Sequence, residues 1–237
     1  MPYNQNMKLV INGDDLGYTL ANTYGIIEAY NNGILSSTTA LCNSDYLLEA
    51  YEASKDLDNL GIGVHLTLTL GKSLTDNKTL TDENGNFYEG RKTIWEKQVD
   101  YNEVYNEWNA QIEKFIEVFK KMPTHLDSHH SVHDANEKAL EVSMALAKKY
   151  NLPLRRYSNF KFVTGFYGPS ATRETLINIL GEHLNEDIEI MCHPGYCDLE
   201  LYQKSSYALD RVKELDVLCS KELKDFIRDN NIELVHY

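Results

Sequence analysis

Short apolar runs alternate with helical patterns along nearly the whole chain, and this alternation restricts the fold more than any other feature. Each run with strand character ends in polar residues, and a stretch with three- and four-residue apolar spacing follows most of them. The predicted strands cover 7–12, 34–42, 60–68, a histidine-rich segment around 125–129, 153–157, 189–192 and 232–236. Because strict alternation of strands and helices produces parallel sheets, we expect an α/β protein with about seven parallel strands, in an open sheet or a barrel.

Helical spacing fills most of the chain between these strands. The predicted helices cover about 21–30, 46–55, 95–121, 135–150, a segment that begins near 170, and 207–230. Residues 71–94 have no such spacing and are rich in Gly, Asn, Asp, Thr and Lys. Since a long irregular segment inside a compact domain is usually functional or mobile, we interpret 71–94 as an insertion over the mouth of an active site.

The composition is that of a soluble globular protein, and the length allows one large domain or two small ones. Because no repeat and no Ser- or Pro-rich linker occurs, we expect a single domain over residues 1–237. The net charge of −13 argues against nucleic acid or an anionic membrane as partner, because no basic stripe accompanies it. The first six residues lack the features of a signal peptide, and no apolar run reaches the length of a membrane span. The four cysteines form no CxxC pair, so we expect reduced thiols in a cytoplasmic protein.

Residues 124–133 contain four histidines and an interleaved aspartate. In a strand, His125, Asp127 and His129 point to the same side. Histidine and carboxylate side chains at the end of a strand are typical of a divalent metal site that stays open to substrate. A chance scatter of four histidines around an acid is a poor alternative, so this segment predicts a metal site.

Five residues of coherent chemistry fall at or just after the carboxyl ends of predicted strands: Asp14, Asp15, His65, His129 and His193. In α/β folds the carboxyl edge of the sheet is where functional sites are built. Asp15, His65 and His129 would form a set of two histidines and one carboxylate that leaves room for water and substrate. Asp14 and Asp15 are adjacent and point in different directions, so Asp14 can face a water molecule.

Several other polar residues allow more than one interpretation. His193 is either a fourth metal ligand or a general acid. His130 and His133 are substrate contacts, supports for a ligand or surface residues, and we favour the surface for His133. Asp127 is placed to orient a ligand histidine. Arg155, together with the following arginine, either pairs with Asp14 or is a solvated charge.

Three residues are the predicted contacts with a substrate: Tyr167, Arg155 and Trp95. Aromatic rings at positions such as 95, 166 and 167 stack on sugar faces, although they more often pack in a core.

Eight short motifs occur in order along the chain, at 12–17 (NGDDLG), 24–29 (YGIIEA), 33–41, 63–65 (GVH), 123–130 (PTHLDSHH), 165–168 (GFYG), 191–194 (MCHP) and 214–218 (ELDVL). Together they resemble the YdjC-like carbohydrate deacetylase family. Three positions depart from the family's pattern: Gly13 and Leu16 replace the more usual alanine and phenylalanine, and Ser131 stands where relatives carry histidine. None of these changes removes an expected ligand.

The resemblance implies a distorted, incomplete (β/α) barrel that hydrolyses the N-acetyl group of sugars such as diacetylchitobiose and short chitooligosaccharides, in oligosaccharide degradation. It implies one divalent metal ion, Mg²⁺ or Zn²⁺, bound by Asp15, His65 and His129. Asp14 then corresponds to the general base and His193 to the general acid. Relatives are often dimers, so a homodimer is expected.

Two other functions remain open from the sequence. A metal-dependent phosphoesterase also uses aspartate and histidine clusters, but it usually assembles more ligands around two metal ions. A non-catalytic sugar-binding protein would bind the glycan and release no acetate. An isomerase or aldolase would be expected to supply a lysine or further acids at strand ends, and the sequence has no convincing candidates.

Overall fold

Seven parallel strands form a curled sheet within residues 6–237, the part of the chain that this computed structural model describes. They are β1 (Lys8–Leu16), β2 (Ser37–Ala40), β3 (Gly61–Leu66), β4 (Leu126–Ser128), β5 (Lys161–Val163), β6 (Ile188–Cys192) and β7 (Glu233–Leu234). Their order is β4-β3-β2-β1-β6-β5, with β7 beside the start of β1, and every pair is parallel. The predicted α/β fold, an incomplete barrel of about seven parallel strands, is confirmed. Residues 1–5, which hold most of the segment where no signal peptide is predicted, lie outside the described range.

Eight α-helices accompany the strands within the same range: α1 (Leu20–Asn32), α2 (Leu47–Ser54), α3 (Tyr101–Phe119), α4 (Glu137–Tyr150), α5 (Arg173–Glu182), α6 (Leu199–Lys204), α7 (Leu209–Cys219) and α8 (Lys221–Asp229). None of them is both long and apolar enough to cross a membrane.

Helix α3 illustrates how the apolar spacing builds the core. Its residues Val104, Trp108, Ile112 and Phe115 recur at three- and four-residue steps and are completely buried. Asp100 caps the helix by accepting a hydrogen bond from the backbone of the first turn. Full burial of each large apolar side chain contributes roughly 1.5–3 kcal/mol to stability, so this face fastens α3 to the sheet.

Strands β1 and β3 are buried on both faces, as expected for parallel strands that are covered by helices. Polar residues at their carboxyl ends are therefore also removed from solvent. Such groups need hydrogen-bond or ionic partners inside the protein, and these partners define the site described below.

The predicted strand at 153–157 is wrong, and the strand of this region is β5, which lies further along the chain. Leu154 makes only an isolated bridge to Leu126. The extended chain ends there because Arg156 adopts a left-handed conformation, with φ of 69°.

The predicted helix over 207–230 is two helices, α7 and α8. They are separated at Ser220, whose extended backbone, with ψ of 148°, interrupts the helical hydrogen bonds.

The irregular segment 71–94 is held by two acidic side chains of α3. The Glu107 carboxylate, which is completely buried, accepts hydrogen bonds from Ser73, Leu74 and Thr75. One turn earlier on the helix, Glu103 accepts three more from residues 78 and 79. Residues 89–91 are the part of this segment that reaches the cavity described below.

Candidate metal centre

The carboxyl ends of several strands open into a cavity of about 660 Å³. Strands β1, β3, β4 and β6 each contribute a side chain to its lining. This is expected, because functional sites of α/β proteins lie at the carboxyl ends of the strands. All five residues predicted at strand ends line this cavity: Asp14, Asp15, His65, His129 and His193.

Strand β1 presents its two adjacent carboxylates in different directions because its pairing with β2 is irregular there. The register shifts between Gly13 and Leu16, and Asp15 has φ of 73°. A non-glycine residue in this left-handed region is uncommon and costs conformational energy. The Asn22 side chain stabilises the turn by donating to the Asp15 carbonyl over 2.9 Å. As a result, Asp14 and Asp15 bind different partners.

Asp15 lies between two histidines. Its Oδ1 is 3.2 Å from Nε2 of His65 and 3.0 Å from Nδ1 of His129, and the three potential ligand atoms lie within 4.8 Å of one another. One carboxylate and two imidazoles, gathered in an open cavity, are a donor set that a divalent transition-metal ion accepts with room for water or substrate. The residues present therefore fit a single divalent metal ion.

The second oxygen of Asp15 is held by Arg211, whose Nη2 donates to Oδ2 over 2.6 Å. Burial alone would raise the pKa of Asp15, but the charges of Arg211 and His129 outweigh it and hold that pKa well below its ordinary range. Asp15 is consequently an ionised carboxylate with Oδ1 directed at the two histidines.

His65 is oriented by Asp127. Its Nδ1 lies 2.6 Å from Oδ1 of Asp127, which leaves Nε2 directed at Asp15. Burial opposes a positive charge on His65, yet Asp127 and the hydrogen bonds from both carboxylates outweigh it and raise the pKa to about 10. A metal ligand must be a neutral imidazole nitrogen, so a metal ion here competes with a proton. Asp127 is itself fixed by the Thr39 hydroxyl, which donates over 2.9 Å.

Arg155 joins three buried carboxylates. Its Nη1 and Nη2 donate to the two oxygens of Asp14, each over 2.8 Å. Nη2 also lies 2.8 Å from Asp127, and Nε donates to Glu189 over 2.7 Å. Of the two interpretations of Arg155, the pairing with Asp14 is the one that the structure supports.

Two of the three predicted sugar contacts are corrected. Arg155 is only 3% exposed and does not line the cavity, because its guanidinium faces the carboxylates beneath it. Trp95 also lies away from the cavity lining, where its ring stacks on Tyr101 at 6.4 Å and packs against the core. Tyr167, the third, lines the cavity and is half exposed.

On the β6 side of the cavity, two tyrosines flank His193. The rings of Tyr167 and Tyr207 stack on each other at 4.5 Å, and both meet the imidazole edge-on at 5.6–5.7 Å. The buried carboxylate of Glu214 accepts from the backbone N–H of His193 and from the Tyr207 hydroxyl. We call His193, Tyr167, Tyr207 and Glu214 the aromatic wall.

The titratable groups of the aromatic wall are shifted mainly by burial. Burial lowers the pKa of His193 to about 4, although the nearby negative charge of Asp14 acts in the opposite direction. Burial also raises the pKa of Glu214 to about 7, against its hydrogen bonds to His193 and Tyr207. His193 is therefore neutral at pH 7.

Three of these site residues received no role from the sequence: Arg211, Tyr207 and Glu214. Arg211 and Glu214 are three residues apart and lie on the face of α7 that meets the site. Both residues fall within the predicted final helix, and Glu214 is the first residue of the eighth motif, 214–218. No local pattern, however, shows which strand ends a helix will face.

The expectation that His133 lies on the surface is wrong. Its ring is completely buried, with Nδ1 2.6 Å from the Ser128 hydroxyl, and its carbonyl accepts from Ser143. The polar residues around His133 do not predict this burial. It arises because the tight turn after β4 folds back on itself. His130, in contrast, lines the cavity, and its Nδ1 lies 3.0 Å from the Thr69 hydroxyl.

Fold and site together define an α/β half-barrel protein with an aspartate–histidine–histidine cluster at the carboxyl edge of its sheet. The chain belongs to the YdjC-like protein family, whose model matches residues 8–229. It is 42% identical to the carbohydrate deacetylase of Clostridium beijerinckii, over 98% of this chain and 99% of that protein. The carbohydrate deacetylase of Enterococcus faecalis is 41% identical, with 98% and 97% of the two chains covered.

Solved structures show the same fold. A crystal structure from Enterococcus faecalis, named as a cellobiose-phosphate cleavage protein, superposes with a TM-score of 0.92 at 40% identity and covers 98% of both chains. A family 4 carbohydrate esterase from Streptomyces lividans superposes with a TM-score of 0.57 at 10% identity, over 97% of this chain and 92% of that one. The second likeness is one of fold alone.

Proposed function

We propose that this protein is a metal-dependent carbohydrate deacetylase that acts on N-acetylated sugars, chiefly diacetylchitobiose and short chitooligosaccharides. The products are acetate and an amino sugar. The observation that carries the proposal is the convergence of Asp15, His65 and His129 beside a separate, firmly held carboxylate, Asp14. A cavity of about 660 Å³ is of the size that binds small molecules, and the relatives named above are carbohydrate deacetylases. A cytoplasmic location and a homodimer are part of the same proposal.

Asp15, His65 and His129 hold the divalent ion in this proposal. When bound, such an ion polarises an acetyl carbonyl and acidifies water. Asp127 orients His65 through its contact with Nδ1, and Arg211 orients Asp15 through its hydrogen bond to Oδ2.

Asp14 accepts the proton of the attacking water. Its Oδ1 already accepts hydrogen bonds from Asn12 and Arg155, whereas Oδ2 accepts one from Arg155. A carboxylate oxygen has two lone pairs, so Oδ2 is the oxygen with capacity left for a proton. The bidentate contact with Arg155 also fixes the direction of that lone pair.

His193 protonates the departing nitrogen. Because burial lowers its pKa to about 4, the imidazole enters the reaction neutral and must take up a proton before it can deliver one. The proton that Asp14 has taken from the water is the one that His193 delivers, and the negative charge that Asp14 then regains, together with that of Asp15, favours the imidazolium form. The half-exposed ring of Tyr167, which lies edge-on to His193, is then positioned to stack on the sugar that carries the leaving amine.

The proposal is tested by acetate release from diacetylchitobiose. Metal-stripped protein is assayed alone and after addition of Zn²⁺ or Mg²⁺. Asp15→Asn is the variant that lacks a ligand, and Asp187→Asn is a matched change at the amino end of the strands. Metal-dependent acetate from the wild type and from Asp187→Asn, but not from Asp15→Asn, is expected. Sugar binding without acetate from folded, metal-loaded protein would instead indicate a non-catalytic binding protein.

A phosphorylated acetyl sugar is the second candidate substrate. Besides Arg211, which is bound to Asp15, three cationic side chains line the cavity of this otherwise acidic chain: Arg91, Arg156 and Lys204. A structural relative from Enterococcus faecalis is named for cellobiose-phosphate. Cations bind phosphate oxygens through charge-assisted hydrogen bonds. If phosphate is recognised here, kcat/KM is higher for 6-phosphorylated than for plain diacetylchitobiose, and Arg91→Gln removes that preference while the plain sugar is unaffected.

A further inference from the structure

Three buried carboxylates surround one guanidinium beneath the cavity. Asp14, Asp127 and Glu189 are each at most 2% exposed, and Arg155 is 3% exposed. The distances from Arg155 nitrogens to the nearest oxygens of these acids are 2.7–2.8 Å. One guanidinium therefore contacts three carboxylates at once, in a region that is almost closed to solvent.

Two of these acids also belong to a second cluster of ligand-type groups. Potential ligand atoms of Asp14, His65 and Asp127 lie within 4.8 Å of one another, and His65 is shared with the cluster at Asp15. The two clusters meet at His65, whose Nε2 is directed at Asp15 and whose Nδ1 is directed at Asp127, so one imidazole ring would separate an ion in each cluster. From its donor atoms alone, the second cluster would pass as a second metal site.

The space between these acids is filled by protein. Nη2 of Arg155 lies 2.8 Å from Oδ1 of Asp14 and 2.8 Å from Oδ2 of Asp127, so one nitrogen bridges the two carboxylates. Arginine stays protonated at every pH that a protein survives, and its planar fork matches carboxylates. It supplies positive charge without binding water or a substrate oxygen as a Lewis acid would.

We propose that Arg155 is a built-in cation in the position of a second metal ion, so that the chain binds one divalent ion and Asp14 remains a proton acceptor rather than a ligand. The inference rests on the proposed function for the first ion, at Asp15, His65 and His129. It deepens that function by excluding the two-metal mechanism of a phosphoesterase for the same cavity.

Removal of the guanidinium should therefore open a second site. In Arg155→Met, the carboxylates of Asp14, Asp127 and Glu189 lose their cation, and buried charges without a partner are strongly destabilising. A divalent ion at that position restores the charge and binds to oxygens that already converge. Arg155→Lys is the matched control, since it keeps one positive charge among the same carboxylates while it removes the planar fork that binds both oxygens of Asp14.

The test is metal stoichiometry, which needs no substrate. Metal-stripped wild type, Arg155→Met and Arg155→Lys are titrated with Mn²⁺ by calorimetry, bound metal is counted by elemental analysis, and the Mn²⁺ signal is recorded by electron paramagnetic resonance. We expect one ion in the wild type and in Arg155→Lys, each with the spectrum of isolated Mn²⁺. We expect two in Arg155→Met, with the spectrum of an exchange-coupled pair. Two ions in the wild type, or one in folded Arg155→Met, would overturn the proposal.

Stability supplies a second measurement in case Arg155→Met folds poorly without metal. Its thermal unfolding is followed with and without Mn²⁺, and the rise in Tm should exceed that of the wild type because two ions bind the folded state. A variant that Mn²⁺ does not rescue would contradict the proposal, since a second ion should restore the missing charge. Failure of the deacetylase assay, in contrast, would leave these stoichiometries unchanged, so the two ideas can fail separately.

Discussion

The two ends of β4 carry histidines four residues apart in one motif, yet they lie in opposite surroundings. His129 follows the carboxyl end, contacts the Asp15 carboxylate and lines the cavity. His125 precedes the amino end and is completely buried, with its ring stacked on Tyr237 at 4.1 Å. Burial lowers the pKa of His125 to about 3, because nearby Asp127 raises it too little to compensate.

This difference shows that position along the strand, rather than residue type, decides what a histidine does. At the carboxyl edge the chain ends of neighbouring strands bring carboxylates to the imidazoles. At the opposite end the imidazole is a neutral ring that fills the core. Changes at the carboxyl edge should therefore alter catalysis with little effect on folding, and changes at the amino end should do the reverse.

Asp14→Asn is expected to have the largest effect, at the carboxyl edge. Loss of a general base costs about 10²–10⁴-fold in rate, and we expect kcat for acetate release to fall by about 10³-fold while one metal ion is still bound. The measurement is kcat together with metal content. Asp187→Asn, which changes an acid that accepts from the backbone N–H of Lys8 at the start of β1, should leave kcat unchanged. Near-normal turnover of Asp14→Asn would remove Asp14 from the mechanism.

His125→Phe tests the amino end of β4 through its effect on the stability of the fold in acid. The folded-state pKa of His125, about 3, is below the unfolded value near 6.5. The unfolded chain therefore takes up a proton first, and stability falls as the pH drops from 6.5 towards 3. His125 should account for a loss of about 3 kcal/mol between pH 6.5 and pH 4, which His125→Phe abolishes without changing kcat at pH 7.

Thr124→Val is the control for this experiment. It removes the hydroxyl that lies 3.0 Å from Nδ1 of His125 but keeps the imidazole, so its acid sensitivity should match that of the wild type. The quantity to compare is the free energy of unfolding in urea at each pH. Equal acid sensitivity of His125→Phe and wild type would show that His125 is not held neutral.

Glu214→Gln tests whether a residue of helix α7 affects catalysis as the residues at the carboxyl edge of the sheet do. The Glu214 carboxylate fixes the backbone of His193 and the Tyr207 hydroxyl, and hydrogen bonds to charged groups contribute about 1.5–3 kcal/mol. We expect kcat to fall about tenfold with KM little changed. Tyr207→Phe, which removes one of the two contacts, should have a smaller effect. A change in KM alone would indicate that Glu214 shapes the sugar site and leaves His193 in place.

Tyr167→Ala should give the smallest effect, confined to binding. A stacked aromatic ring contributes about 0.5–1.5 kcal/mol beyond its buried area, so KM for diacetylchitobiose should rise about fivefold at constant kcat. Tyr167→Phe keeps the ring and should bind the sugar as well as the wild type does. If Tyr167→Phe is as weak as Tyr167→Ala, the hydroxyl rather than the ring makes the contact.

The strand-end residues were predictable because their positions follow from local patterns. Apolar runs locate β1, β3 and β6, and the rule that sites lie at carboxyl ends selects Asp15, His65 and His193. The alternation that favoured seven parallel strands was equally local, since each strand and helix has its own apolar spacing within a short segment.

What could not be predicted depends on contacts between distant parts of the chain. Arg155 was predicted to touch substrate, but its guanidinium contacts three carboxylates that are distant in the sequence, Asp14, Asp127 and Glu189. Arg211 reaches Asp15 across 196 residues. His133 is buried only because the turn after β4 folds back on itself. None of these contacts leaves a periodic trace in the sequence.

The most direct measurement is acetate release from diacetylchitobiose as a function of added metal, with bound metal counted in the same samples. Starting from metal-stripped protein, the rate should rise in proportion to Zn²⁺ or Mg²⁺ up to one ion per chain and then stay constant. Asp15→Asn should show neither the bound ion nor the acetate. Acetate release by the metal-free wild type, or none at any metal content, would contradict the assignment of Asp15, His65 and His129 as the metal site of a deacetylase.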